Sequence, residues 1–332
     1  MPRNRRVLLV SRPDGKPTED NFRLETVETP ALAEGQLLVR NHWLSLDPYM
    51  RGRMNEGRSY ATPQPLNDTM QGQTAGIVVE SRHPSWPVGT PVLGGFGWQE
   101  YGVSDGTGLR KLDANAIPLS AYLGPVGMPG VTAWYGLNRI IEPKEGETVA
   151  VSAASGAVGM IVGQLAKRAG ARAVGIAGGP DKCRYVVDTL RFDACVDYKS
   201  SDLNAELRQA CPQGIDGYFE NVGGRVMDAM LPRMNAFGRI ALCGLIAGYN
   251  GAPIPIGNPS WLLISRLKLQ GFIISEHLDI WPQALKELGA GVASGAIRYR
   301  ESVAQGLENA PRAFLGMLEG QNFGKQLVKL TD

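Results

Sequence analysis

The stretch with the most explicit chemical spacing is SAASGAVG, Ser152 to Gly159. It reads Ala153-x-x-Gly156-x-x-Gly159, after the apolar run TVAVSAA and before the helical pattern AVGMIVGQLAKRAG. Residues of these types in this order can hold a pyrophosphate. Gly156 lets the main chain approach the anion, and Gly159 lets the helix pack closely on the strand. The helix start presents unbonded N–H groups and a positive dipole end. Ser155, Ala157 and Val158 complete the cradle. Ala153 stands where G-x-G-x-x-G has its first glycine, which alanine can replace if the turn there is less tight. A strand-to-helix turn without a ligand is the competing reading, and the strand–helix–strand context weighs against it.

An NAD site places an Asp or Glu about 20 residues on, at the end of the next strand, against the ribose hydroxyls. Here Gly178 stands 22 residues after Gly156, in the run AGGPDK. Gly178 and Gly179 leave space and no negative charge. Lys182 and Arg184 follow within one turn, and Tyr198 ends the next strand. Space, cations and a hydroxyl suit a 2′-phosphate, so the expected cofactor is NADP(H). Lys182 is the candidate phosphate ligand, and Arg184 reads rather as a surface side chain.

The elements that must position these residues are legible as two textures. To about residue 125 the chain is rich in short β-like runs (RVLLVSR, GQLLVRNHWLSL, TAGIVVESR, GTPVLGGFGWQEYGVS) separated by Pro, Gly and Asp turns. This predicts a β-rich, barrel-like domain. Asp47 to Met70 is polar and aperiodic, and reads as a long loop of the kind that carries function. From about Gly127, strands and helices alternate, which predicts an α/β, doubly wound parallel sheet with right-handed crossovers. The run NFGKQLVKL is β-like again and is expected to return to the N-terminal domain, making that domain discontinuous.

Composition narrows the class. With 43% hydrophobic and 20% charged residues, the chain has an ordinary globular core supply. Its formal net charge of +2 and the lack of a Lys/Arg block interleaved with aromatics exclude a nucleic-acid partner. The one long uncharged stretch, Ala114 to Asn138, holds Pro118, Pro125 and Pro129, so no membrane helix is expected and the cytoplasm is the default location. Cys183, Cys195, Cys211 and Cys243 form no C-x-x-C, and they read as reduced residues, mostly buried.

The runs LSLDPYMRGRM, MPGVTAWYGL, AASGAVG, FENVGG, CGLIAGYN, LQGFII and NFGKQLVK span nearly the whole chain. Together they resemble the medium-chain dehydrogenase/reductase superfamily. The similarity is to its zinc-independent branch of prostaglandin reductases (leukotriene hydroxydehydrogenases), plant alkenal double-bond reductases and bacterial curcumin reductases. The resemblance implies a GroES-like β-rich substrate domain from residues 1–125 and 303–332, and a Rossmann NADP(H)-binding domain over 126–302. Zinc-dependent relatives need a Cys early in the β domain and a Gly-His-Glu further on. Here those regions read LSLDPYM and MQGQTAG, and His42, His83 and His277 show no ligand spacing, so no metal is expected.

The resemblance implies further cofactor contacts. Asn221 faces the crevice beyond the strand ends, and the loop from Cys243 to Tyr249 borders the nicotinamide ribose. Phe272, Ile273 and Ile274 run past the nicotinamide, with Met128 and Thr132 near its ring, and Asn322 reaches the cofactor from the tail. For Met128 and Phe272, plain core packing is the alternative. The implied reaction is NADPH-dependent reduction of a C=C bond conjugated to a carbonyl, with hydride adding to the β-carbon and charge moving to the carbonyl oxygen. A hydrogen-bond donor must meet that oxygen. Tyr249 is the first candidate and Tyr49 the second, since a phenol near pKa ~10 stays protonated at neutral pH; water can supply the proton instead. Tyr60, Trp98 and Trp261 are expected to wall an apolar substrate pocket, with core packing the alternative. A homodimer is implied, with RLKLQGFII as the candidate edge strand. Quinone reduction is the enzymatic alternative, and a non-catalytic NADPH-binding protein the other.

Overall fold

The structure is a computed structural model that describes residues 2–57, 59–251 and 253–331. The chain divides into two compact units, Met1–Leu123 with Glu301–Asp332, and Gly124–Arg300.

The first unit is built from short strands. β1 (Arg3–Leu9) pairs antiparallel with β2 (Phe22–Glu28) and with β4 (Asp68–Thr69). β3 (Leu37–Ser45) is the hub of a larger sheet, pairing antiparallel with β5 (Thr74–Ser81) and β7 (Tyr101–Ser104). β6 (Pro91–Gly94) and β8 (Arg110–Lys111) extend the sheet beyond β5. The chain re-enters this unit at the end. There β16 (Lys325–Lys329) runs antiparallel to β3 and parallel to β15 (Glu301–Gln305).

The stretch from Asp47 to Met70, expected as a loop, contains a regular element. It begins with a short helix, Tyr49–Arg53, whose N-cap Pro48 has φ −58° and so enters the turn already helical. Met50 and Met54 of this segment are buried with Val7, Leu9, Leu44 and Phe314 in the unit's main core. A five-residue helix is too short for apolar periodicity to reveal.

The second unit is the doubly wound sheet. Among the described residues it holds β9 (Thr148–Ser152), β10 (Arg172–Ala177), β11 (Ala194–Asp197), β12 (Ile215–Glu220), β13 (Met234–Leu242) and β14 (Lys268–Gly271), all parallel. Their spatial order is β11-β10-β9-β12-β13-β14. Counted within the unit this is 3-2-1-4-5-6, the Rossmann order, whose switch point lies between β9 and β12. All five residues of β9 are buried, because a central parallel strand has helices over both faces. The following helix, Gly159–Arg168, buries Ile161, Val162, Leu165 and Ala166 and ends at Gly170, whose φ of +80° suits a residue without a side chain. No helix of the described residues is long and apolar enough to cross a membrane.

Candidate functional site

Ala153–Gly159, Gly178, Tyr198, Asn221, the Cys243–Tyr249 loop and Phe272–Ile274 follow the carboxyl ends of β9, β10, β11, β12, β13 and β14, where α/β sheets of this type bind ligands. At the end of β9 the chain turns sharply. Ala153 has φ +50°, so its turn is as tight as a glycine's, contrary to the expectation of a looser one. A left-handed alanine costs about 1–2 kcal/mol. The turn is held by Ala154 N–H on the Ile176 carbonyl (3.0 Å) and Gly156 N–H on the Ala153 carbonyl (2.8 Å).

The two glycines then do different things. A Cβ on Gly159 would sit 2.4 Å from the Ala153 oxygen, so this position needs glycine for the helix to pack. A Cβ on Gly156 would meet only Ala153, at 3.1 Å and beyond, and otherwise point into open space. Gly156, Ala157 and Val158 are half-buried at the helix start, while the Ser155 side chain is buried. Open space over a glycine, beside the N–H groups that a helix leaves unbonded, fits a pyrophosphate.

At the end of β10 a glycine, Gly178, stands where an NAD site places its acid. A Cβ on Gly178 would lie 2.8 Å from the Tyr198 ring and 3.0 Å from its hydroxyl oxygen, so the phenol covers this glycine directly. Gly179 has φ +99°, and its N–H donates to Asp197 Oδ1 at 2.8 Å. Asp197 also accepts the Lys199 N–H at 2.9 Å. The acid at the end of β11 is thus spent on fixing the glycine turn. Lys182 is half-buried, and its ammonium is pushed below the ordinary lysine value, first by burial and then by Lys199. Lys182, with Lys199 acting on it, stands at a corner where a phenol covers a glycine, and groups of these types can take a phosphate dianion. Arg184 is exposed and paired with Asp181. Sequence reasoning missed Lys199 because only the β10–β11 pairing brings it to Lys182.

The other half of the crest is built on β12 and β13. Asn221 donates its N–H to Ser152 Oγ at 2.7 Å and its side-chain amide to the Ser152 carbonyl at 2.8 Å, tying the ends of β12 and β9 together. Cys243 and Gly244 N–H both donate to the Glu220 carbonyl. A Cβ on Gly244 would lie 3.3 Å from both the Tyr249 hydroxyl and the Asn221 carbonyl, so the phenol of Tyr249 sits over Gly244 and beside Asn221. Sequence reasoning had named both residues without a reason for them to meet. The Cys243 thiol is pushed up to about 12 by burial and by Glu220, so it is not a nucleophile.

Phe272 packs edge-on to Phe219 (6.2 Å) and against Tyr135 (5.3 Å). Ile273 is half-buried, and Ile274 is a core residue at 8% exposure. Met128 opens the helix Met128–Tyr135 and packs on the same core. Thr132 of that helix spends its hydroxyl on the Met128 carbonyl at 2.7 Å. Trp261 packs against the other apolar cluster, with Tyr218 and Met230.

In the first unit, Tyr49 stands at the start of its short helix with the Arg53 guanidinium 5.3 Å from its ring centre. Burial first, then Asp47 and Tyr60, raise its phenol well above the ordinary tyrosine value, against Arg53. The hydroxyl therefore stays protonated and can donate. Tyr60 is 60% exposed, near enough to act on Tyr49. The preceding Asp47 is fixed by the fully buried Lys325, whose ammonium donates to Asp47 Oδ1 and the Leu46 carbonyl, both at 2.7 Å. Trp98 departs from the expected pocket wall. It is 0% exposed, stacked on Phe22 at 5.6 Å and edge-on to Phe314, and is a core residue. Asn322 donates its side-chain amide to the Gly324 carbonyl at 2.8 Å.

Among the described residues no group of three or more His, Cys, Asp or Glu is placed to hold a metal ion.

The comparisons with known proteins follow the same division. The profile of the family described as "N-terminal domain of oxidoreductase" matches residues 5–112, and that described as "Zinc-binding dehydrogenase" matches residues 157–290. The chain is 47% identical over 336 residues to the NADPH-dependent curcumin reductase of Escherichia coli (strain K12), covering 99% of this chain and 97% of that one. It is 44% identical over 321 residues to prostaglandin reductase 1 of Oryctolagus cuniculus, covering 94% and 89%. Among solved structures it is similar to CurA of Vibrio vulnificus in complex with NADPH, with a TM-score of 0.94, 47% identity and 99% of each chain covered.

Proposed function

We propose that this chain, which belongs to the zinc-independent prostaglandin, alkenal and curcumin reductase branch of the medium-chain dehydrogenase/reductase superfamily, is an NADPH-dependent reductase of C=C bonds conjugated to a ketone or aldehyde. The observation that carries the reading is the crest of the parallel sheet. Its β10–β11 end is free of a ribose-binding acid and flanked by lysines, and its β12–β13 end sets a phenol beside an anchored asparagine.

When bound, NADPH supplies the hydride that reduces the polarised bond. The chain's own residues bind and orient. The amides of Ala157 to Gly159, with Ser155 beside them, take the pyrophosphate over Gly156, whose own N–H and Ala153 set the turn. Tyr198 and Lys182, joined by Lys199, read the 2′-phosphate over Gly178. Asn221, the loop Cys243–Tyr249, Met128, Thr132, Phe272, Ile273 and Ile274 hold the nicotinamide end. Tyr249 donates its hydroxyl proton toward the carbonyl oxygen as charge gathers there, and Tyr49 is the second candidate donor. Tyr60 and Trp261 are substrate-wall candidates. The unit Gly124–Arg300 is the cofactor domain and the other unit the substrate domain. The chain works as a homodimer through β14, which lies at the sheet edge next to exposed Phe237, Leu263 and Ile264.

The test is NADPH oxidation followed at 340 nm over a panel of a short enal, a long-chain enone, a diaryl enone and a quinone. Turnover of the enal or enones above that of the quinone is expected. Turnover of the quinone alone would make this a quinone reductase. NADPH binding without turnover would make it a non-catalytic binding protein.

A further inference from the structure

The end of β12 carries a charge that the reading above does not use. Glu220 is 0% exposed. Its Oε1 accepts the Ser152 hydroxyl at 2.6 Å and the Val222 N–H at 2.5 Å, and its Oε2 accepts the Tyr218 hydroxyl at 2.6 Å. Three donors converging on two oxygens is the pattern a carboxylate accepts. All three donors are neutral, so they hold the charge in place without cancelling it. The Ser152 oxygen that serves Glu220 also receives the Asn221 N–H, so carboxylate, serine and asparagine are joined in one hydrogen-bonded chain. Tyr218 is fully buried and its phenol is held far above the ordinary value by burial and by Glu220, so it remains a donor.

The sheet order says which half of a dinucleotide this charge faces. Gly178, Lys182 and Tyr198 mark the adenosine end at β10 and β11, so the nicotinamide end lies across the switch point, over β12 and β13. The oxidised and reduced cofactors differ there by one positive charge on the ring. We infer that Glu220 is a fixed negative charge of the nicotinamide half-site. It favours the oxidised, cationic ring over the neutral reduced one and so drives hydride donation forward. Glu220 acts through its field and through Asn221 as a positioning residue. The inference rests on NADP(H) binding at this crest.

The measurement is the ratio of Kd for NADP+ to Kd for NADPH, by titration of the protein's tryptophan fluorescence. A unit charge acting over about 10 Å through an effective dielectric constant of about 20 shifts an equilibrium on the order of ten-fold. Glu220→Gln is expected to raise the ratio by about that factor, whereas Glu220→Asp, which keeps the charge, and Tyr218→Phe, which removes one donor, leave it near the parent value. General loosening of the crest weakens both cofactors together and leaves the ratio unchanged. If Glu220→Gln does not fold, Glu220→Met with Tyr218→Phe removes the charge and its buried donor together, a replacement that cores often tolerate. An unchanged ratio in the charge-free variant overturns the inference. Failure of the parent protein to bind either cofactor overturns the cofactor reading instead.

Discussion

Removing one ammonium from the corner at Gly178 separates cofactor recognition from general binding. Lys182 is half-buried and its charge is held against both burial and Lys199. A group in that state gains more from meeting a phosphate dianion than an exposed one does, because part of its desolvation is already spent. Hydrogen bonds to charged partners contribute about 1.5–3 kcal/mol, so Lys182→Ala should raise KM for NADPH by roughly ten- to a hundred-fold. Lys199 is exposed and screened, and its removal should cost less, on the order of three-fold. NADH has no 2′-phosphate, so its KM should move less than about two-fold in either variant. The assay is initial-rate kinetics with both coenzymes on one enone, at low and high ionic strength. KM for NADPH should rise with salt in the parent and less so in Lys182→Ala. Equal increases for NADPH and NADH would show that Lys182 shapes the turn and does not read the phosphate.

Tyr249→Phe should lower kcat on an enone on the order of a hundred-fold, the usual cost of an oxyanion donor. NADPH affinity should stay nearly intact, and an unchanged kcat removes Tyr249 from the mechanism. Gly159→Ala drives a Cβ to 2.4 Å from the Ala153 oxygen, which belongs to the main chain and cannot rotate away. Overpacking of this kind costs about 1–3 kcal/mol, to be read by urea denaturation, and a loss under 0.5 kcal/mol would show that the turn can relax. Glu147 is raised by burial, but its hydrogen bond from Arg239 wins, and its carboxyl sits below the ordinary value. A carboxyl depressed in the folded state contributes stability that is present above its unfolded value of 4.5 and is lost as pH falls through the lower folded value. Glu147→Gln should therefore cost about 1–2 kcal/mol at pH 7 and flatten the acid limb of the stability curve, and parallel pH profiles would refute it.

The fold class was legible because its signals are long and periodic. The run TVAVSAA, the helix behind it and the strand after that repeat a unit whose parallel pairing is nearly forced by chain connectivity. The β-rich unit was legible from its turns. What escaped was whatever depends on a side chain's partner. Tyr49 begins a helix too short to show a period. Trp98 looks like a pocket aromatic in sequence, and only its stacking on Phe22 shows it to be core. Ala153 reads as a relaxed substitute for glycine, yet it carries φ +50°, because the Gly159 packing and the Ala154 bond to β10 fix the turn whatever residue stands there.

Glu220 is the sharper case. Its neighbours in sequence, Asn221 to Gly224, carry the recognisable motif, and nothing in the sequence singles out the acid before them. The structure puts it inside the sheet, where a charge persists only with its donors supplied. Those donors come from β9 (Ser152), from β12 itself (Tyr218) and from the turn after it (Val222), so no spacing along the chain announces them. Candidates for reading a phosphate by contact can be named from their types and positions. The residue proposed to act through its field becomes visible only once the strands are side by side, so sequence reading of such a site names candidate contacts before it can name the electrostatics behind them.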